Sequence, residues 1–116
     1  MSYLWNMKEF KKIDTDGTIS YYNEEGQLHR DGDKPAIIYS DGTKVYYVKG
    51  KLHRDGDEPA IIQHDGRKEW YQDGKLHREG NKPALIWPDG TKEYYRNGVE
   101  YKLSIWEKMK MLFNIR

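Results

Sequence analysis

The chain has 116 residues, of which 34 % are charged and 36 % hydrophobic, with no cysteine and a formal net charge of +1. That length predicts one domain with a modest core, and the missing cysteines exclude disulfides and thiolate metal sites. Charge of both signs is spread along the whole chain, so bulk attraction to nucleic acid or to an anionic membrane is not expected.

The opening residues, MSYLWNMKEFKK, lack the apolar core of a signal peptide, and no apolar run approaches membrane-spanning length. The expectation is a cytoplasmic protein with no membrane role. Residues 1–26 read as an N-terminal cap. Within them Ile13-Asp14-Thr15-Asp16-Gly17 and Tyr21-Tyr22 match later segments at an offset of 25 residues, so 7–26 form a degenerate first hairpin.

A 24-residue unit then recurs over 27–50, 51–74 and 75–98, with 12 of its 24 columns identical in all three copies. A fixed period of this length marks a stacked repeat array. Constant columns are assigned to the scaffold and variable columns to any specific contact. Each unit reads as two strands and two turns. Pro35 opens the strand Ala36-Ile37-Ile38-Tyr39, Ser40-Asp41-Gly42-Thr43 turns, Lys44 to Val48 returns, and Lys49-Gly50 turns again. Side chains alternate along a strand. Ala36, Ala60 and Ala84 with Ile38, Ile62 and Ile86 are therefore expected on the packed face. Ile37, Ile61 and Leu85 then share the open face with the variable column Tyr39, Gln63 and Trp87.

Residues 99–116 form a C-terminal cap. Ser104 is the expected N-cap and Glu107 its capping-box partner. Apolar residues at 105, 106, 109, 112 and 113 fall on one face of a short helix, which is expected to cover the end of the sheet. The predicted fold is an all-β repeat: one elongated, twisted antiparallel sheet of successive hairpins, capped by a short C-terminal α-helix.

The repeated string around Leu28-His29-Arg30, Leu52-His53-Arg54 and Leu76-His77-Arg78, with the following Pro-Ala and Asp-Gly steps, resembles the MORN-like repeats of bacteriophages and giant viruses. The resemblance spans roughly residues 13–98. It implies a β-hairpin scaffold or binding surface without catalysis, in a small viral protein that acts on a host component. Arginine follows histidine here where better-known MORN repeats carry glycine, so lipid attachment is not carried over.

The histidines at 29, 53 and 77 recur about every 10 Å if each unit adds two strands, too far apart to share one metal ion. They are expected to join backbone groups, the imidazole donating to a carbonyl and accepting from an amide. Arg30, Arg54 and Arg78 are expected to bridge to the turn aspartates. An alternative is that the His-Arg pairs hold a small anionic ligand or nucleotide. Single-stranded nucleic acid is disfavoured by the near-zero charge. The only unrepeated histidine, His64, stands beside Asp65, and no nucleophile, phosphate-loop or paired acid–base motif is present. The reading is a non-enzymatic protein-binding module without cofactor or metal, directed at a host protein. Its contacts are the variable aromatic columns Tyr39, Gln63, Trp87 and Tyr46, Trp70, Tyr94, with Trp106, Met109 and Phe113 of the helix. Self-assembly into a homo-oligomer through the helix or the open sheet edge is a further alternative.

Overall fold

The computed structural model describes residues 9–113, a body 57 × 31 × 22 Å in extent. Strands β1 (Phe10–Ile13) and β2 (Ile19–Tyr22) form the first hairpin. The units then contribute β3 (Ile37–Ile38), β4 (Lys44–Val45), β5 (Tyr47–Val48) and β6 (Lys51–Leu52), then β7 (Ile61–Ile62), β8 (Lys68–Glu69), β9 (Tyr71–Gln72) and β10 (Lys75–Leu76). The last are β11 (Leu85–Ile86), β12 (Lys92–Arg96), β13 (Val99–Tyr101) and the helix α1 (Ile105–Phe113). The residues on which the absence of a leader was read lie mostly outside the described residues.

Each Asp-Gly step closes a hairpin by local chemistry. Gly42 takes φ 93°, its N–H donates to the Tyr39 carbonyl at 2.9 Å, and the Asp41 carboxylate accepts from the Thr43 amide at 2.8 Å. A three-residue loop of this kind needs a left-handed residue before the returning strand, a place glycine fills without strain. The carboxylates of Asp16, Asp65 and Asp89 accept from the amide two residues on in the same way. The second turn of each unit has both central residues left-handed: Lys49-Gly50, Asp73-Gly74 and Asn97-Gly98. That is the two-residue turn whose twist suits a hairpin.

Among the described residues nine strands form one antiparallel sheet in the order β1-β2-β3-β4-β7-β8-β11-β12-β13, as the repeat pattern predicts. Two short ribbons, β5–β6 and β9–β10, stand outside it. The second strand of a unit, expected to run unbroken from Lys44 to Val48, is interrupted at Tyr46. The Tyr46 N–H donates to Ala60 across the main sheet at 2.7 Å, whereas its carbonyl accepts from His53 at 3.2 Å. Tyr46 is thus the joint between sheet and ribbon, and Trp70 repeats the arrangement with Ala84 and His77.

The expected division of faces is corrected. Ala36, Ala60 and Ala84 are fully buried, but Ile37, Val45 and Leu85 belong to the core as well. Register pairs Ile37 with Val45, Val45 with Ile61, and Leu85 with both Glu69 and Glu93, so these residues share one face. Ile38, Ile62 and Ile86, expected to be packed, are only half-buried. Strands two residues long let neighbouring loops cover the opposite side, so strict alternation fails to identify the packed face.

Because Ala60 has no accessible surface, Ala60→Leu is expected to destabilise the protein by about 1–3 kcal/mol through overpacking. Urea unfolding should show a lower midpoint with an unchanged slope. Val99→Leu, at an exposed site, should leave the midpoint in place.

Candidate functional site

The Leu-His-Arg segments build one repeated constellation. The guanidinium of Arg30 lies 3.7 Å from the ring centroid of Tyr21, that of Arg54 3.8 Å from Tyr46, and that of Arg78 3.9 Å from Trp70. Each also reaches back to the preceding unit. Arg54 Nε donates to Asp33 Oδ1 at 2.9 Å, and Arg78 Nε to Asp57 Oδ1 at 2.9 Å. Arg30 meets Glu9 at 3.4 Å in the equivalent position. The remaining Nη1 donates to the carbonyl of Pro35, Pro59 or Pro83. The expected partner, the turn aspartate, is therefore wrong: Asp41, Asp65 and Asp89 are occupied by their own turns, and the carboxylate lies 21 residues before the arginine.

The histidines fulfil half of their expected role. Nδ1 of His29, His53 and His77 accepts from the amides of Lys49, Asp73 and Asn97 at 3.0–3.1 Å. Those are turn residues with positive φ, and Gly50, Gly74 and Gly98 beside them donate to the carbonyls of Leu28, Leu52 and Leu76. The other ring nitrogen, Nε2, faces a carboxylate rather than a backbone carbonyl: Asp31 at 2.8 Å, Asp55 at 2.9 Å, and Glu79. An Nδ1 that accepts leaves the proton on Nε2, so the network selects one neutral tautomer.

These contacts account for the six residues of the anionic-ligand alternative. The arginine side chains are 13–16 % exposed, and their donors are already directed at protein acceptors. A hollow of about 840 Å³ between the second and third units is lined by Trp70, His77 and Arg78. Its Asp57 is held by Arg78 and by Lys82 at 2.9 Å. Those two cations hold the Asp57 carboxyl down at about 2, and the Arg54 guanidinium likewise lowers Asp33. Among the described residues no three His, Asp or Glu side chains are grouped to hold a metal ion.

The variable aromatics separate into two sets. Tyr46 and Trp70, expected as surface contacts, are buried beneath their arginines at 8 % and 7 % exposure. The Trp70 indole donates to the Asp57 carbonyl at 3.2 Å. Tyr94, fourth in the column, is half-buried and has the Tyr101 ring 5.9 Å away in place of an arginine. In the other column Tyr39 is exposed, Gln63 is half-buried, and half-buried Trp87 donates its indole N–H to Glu93 at 2.7 Å.

The helix differs most from expectation. Its capping box forms as read: the Glu107 amide donates to Ser104 Oγ at 3.1 Å and the Ser104 amide to Glu107 Oε1 at 2.9 Å. Yet the face it turns inward is polar. Glu107 and Lys110 are its half-buried residues, and Glu107 accepts from Asn81 at 3.2 Å. Ile105, Trp106, Met109, Leu112 and Phe113 are 41–78 % exposed. Lys110 lies 5.9 Å over the Trp106 ring. Trp106, Met109 and Phe113 thus share one outward face with Ile105, as helical spacing predicts, while Leu112 at its margin also lines a cleft with Lys92 and Leu103. Among the described residues no helix is long and apolar enough to cross a membrane. No family model, curated protein or solved structure matches the chain.

Two outcomes follow from the clamp. Arg54→Ala removes a ring stack and charge-assisted hydrogen bonds at a largely covered site, and should cost about 2 kcal/mol, read as a fall in melting temperature. Asp57 ionises well below its ordinary 3.8. A depressed acid stabilises fully above the unfolded value, and the contribution is lost as pH falls through the folded one. The Asp57 share of the clamp is therefore complete above about pH 4 and disappears towards pH 2. Carboxyl NMR should place the Asp57 midpoint near 2, and Arg78→Ala should return it towards 3.8.

Proposed function

We propose that this chain is a non-enzymatic protein-binding repeat module whose contact surface centres on the outward face of α1. The observation that carries this reading is the inverted helix: Glu107 is held by Asn81, while Ile105, Trp106, Met109 and Phe113 stand exposed on the other side. Trp106 and Phe113 alone offer on the order of 300 Å², since an aromatic side chain carries about 150–250 Å². The largest apolar patch of a monomer is about 300–600 Å² and is often functional. Tyr39 adds a second exposed ring on the sheet. The resemblance to MORN-like repeats supports a viral setting in which the partner is a host protein, such as a defence component, that is blocked or redirected.

The anionic-ligand reading loses its donors to the clamps. Self-assembly by pairing of α1 helices is disfavoured because Lys108 and Lys110 lie at the two margins of the apolar face, where a second copy would bring like charge.

The test is affinity capture from a bacterial lysate with mass spectrometry. One stoichiometric protein should be retained by the wild type and lost by the double variant Trp106→Ala, Phe113→Ala, each substitution costing about 2 kcal/mol or more at a hot spot. The melting temperature should be unchanged, because neither ring is in the core. Equal capture by the double variant would remove α1 as the contact.

A further inference from the structure

One constant, exposed column enters no ion pair among the described residues. Lys44, Lys68 and Lys92 occur at the same place in every unit. All three are exposed. Among the described residues the lysines paired with carboxylates are Lys12, Lys82 and Lys102, and Lys44, Lys68 and Lys92 pair with none.

Register places them in one line. Ile38 pairs with Lys44, Lys44 with Ile62, Ile62 with Lys68, Lys68 with Ile86, and Ile86 with Lys92. Residues paired across an antiparallel ladder lie on the same face. One face of the sheet therefore carries a row of half-exposed isoleucines alternating with free lysines. Two strands separate successive lysines, a spacing of about 9.6 Å at about 4.8 Å per strand. Beyond Lys92 the row reaches a cleft of about 490 Å³ between the last hairpin and α1, whose lining holds three cations, Lys92, Lys102 and Lys108, one carboxylate, Glu93, and the apolar Leu103 and Leu112 among others.

We infer that this row is the seat of an amphipathic α-helix of the partner, lying across the strands, with carboxylates at heptad spacing. Seven residues of α-helix advance about 10.5 Å, close enough to the lysine period for three flexible side chains to follow over two intervals. The isoleucines supply the apolar bed, and the cleft accepts an apolar side chain at the end of the row. A second copy cannot supply such a helix from α1. Its single carboxylate, Glu107, is held by Ser104 and Asn81, and its other charges are Lys108 and Lys110. The inference rests on the protein-binding reading and names the chemistry of the partner.

The probe is a labelled three-heptad helical peptide with Glu at every seventh position and Leu beside it, titrated in fluorescence anisotropy against the full chain. The control peptide carries Lys in place of Glu. The acidic peptide should bind, and K44E/K68E/K92E should weaken it at least about tenfold with an unchanged melting temperature. The weakening should shrink as salt rises. The control peptide should show the opposite preference. Failure of the acidic peptide to bind, or equal binding to both proteins, overturns the inference. Lysine-dependent binding of anionic vesicles or of a single-stranded oligonucleotide, with no binding of the peptide, also overturns it. The two levels of failure are separable. A captured partner that holds K44E/K68E/K92E as tightly as wild type overturns this inference alone. The absence of any stoichiometric partner removes the protein-binding reading and this inference with it.

Discussion

Most strands of this sheet are two residues long, and so few ladder bonds cannot hold a ribbon 57 Å in extent. What joins one unit to the next is the arginine clamp. One guanidinium lies over an aromatic ring, donates to a carboxylate of the preceding unit and donates to a proline carbonyl of its own. Stacking takes the face of the planar cation, and hydrogen bonding takes its edge. Lysine could offer neither the fork nor the flat face. The buried Tyr21, Tyr46 and Trp70 follow from this, since each must lie beneath its arginine, and so do Asp33 and Asp57, the carboxylates that the next unit's arginine meets.

The ends of the array show what happens when a clamp lacks a member. At the N-terminal end the carboxylate is Glu9, 24 residues before Asp33 and within the degenerate first hairpin read over 7–26. At the other end the position of Asp33 and Asp57 is occupied by Asn81, and no Leu-His-Arg follows Gly98. Asn81 instead accepts from Arg96 at 2.9 Å and donates to Glu107, while Arg96 covers the Tyr101 ring at 4.5 Å. An amide can accept from an arginine and donate to a carboxylate at once, which an aspartate cannot. The neutral residue is what lets the last unit anchor the helix through Glu107, and this anchorage turns the apolar side of α1 outward.

What was legible in the sequence was what local chemistry decides. The Asp-Gly loops, the left-handed Asn97-Gly98 turn, the capping box and the order of hairpins depend on residues within a few positions of one another. What was not legible depends on separations of about 20 residues. No local pattern marks Asp33 rather than Asp41 as the partner of Arg54; the one signal in the string is that the Asp33 column becomes Asn81 in the unit that no Leu-His-Arg follows, while Asp41, Asp65 and Asp89 stay constant. The Tyr46 and Trp70 column varies between Tyr and Trp, which suggested a contact surface. The arginine above it requires only a flat ring, so the variation is tolerated by the core. Helix periodicity identified one apolar face of α1, but which face meets the sheet was decided by Asn81, a residue outside the helix.

The rule that constant columns serve the scaffold and variable ones the contact is therefore incomplete in both directions. Tyr46 and Trp70 vary and are structural; Lys44, Lys68 and Lys92 are constant and exposed, and among the described residues they meet no carboxylate. A repeat built for stability alone has no need to keep one charge of one sign on the open face of every unit, and like charges in a row oppose compaction. Such a column is intelligible when the object that binds has a period of its own. A repeating surface recognises a repeating ligand, and the α-helix is the common protein element whose side chains return to one face about every 10 Å. In this ribbon Tyr46 and Trp70 have been absorbed into the frame, whereas Tyr39 and the constant lysines stay exposed.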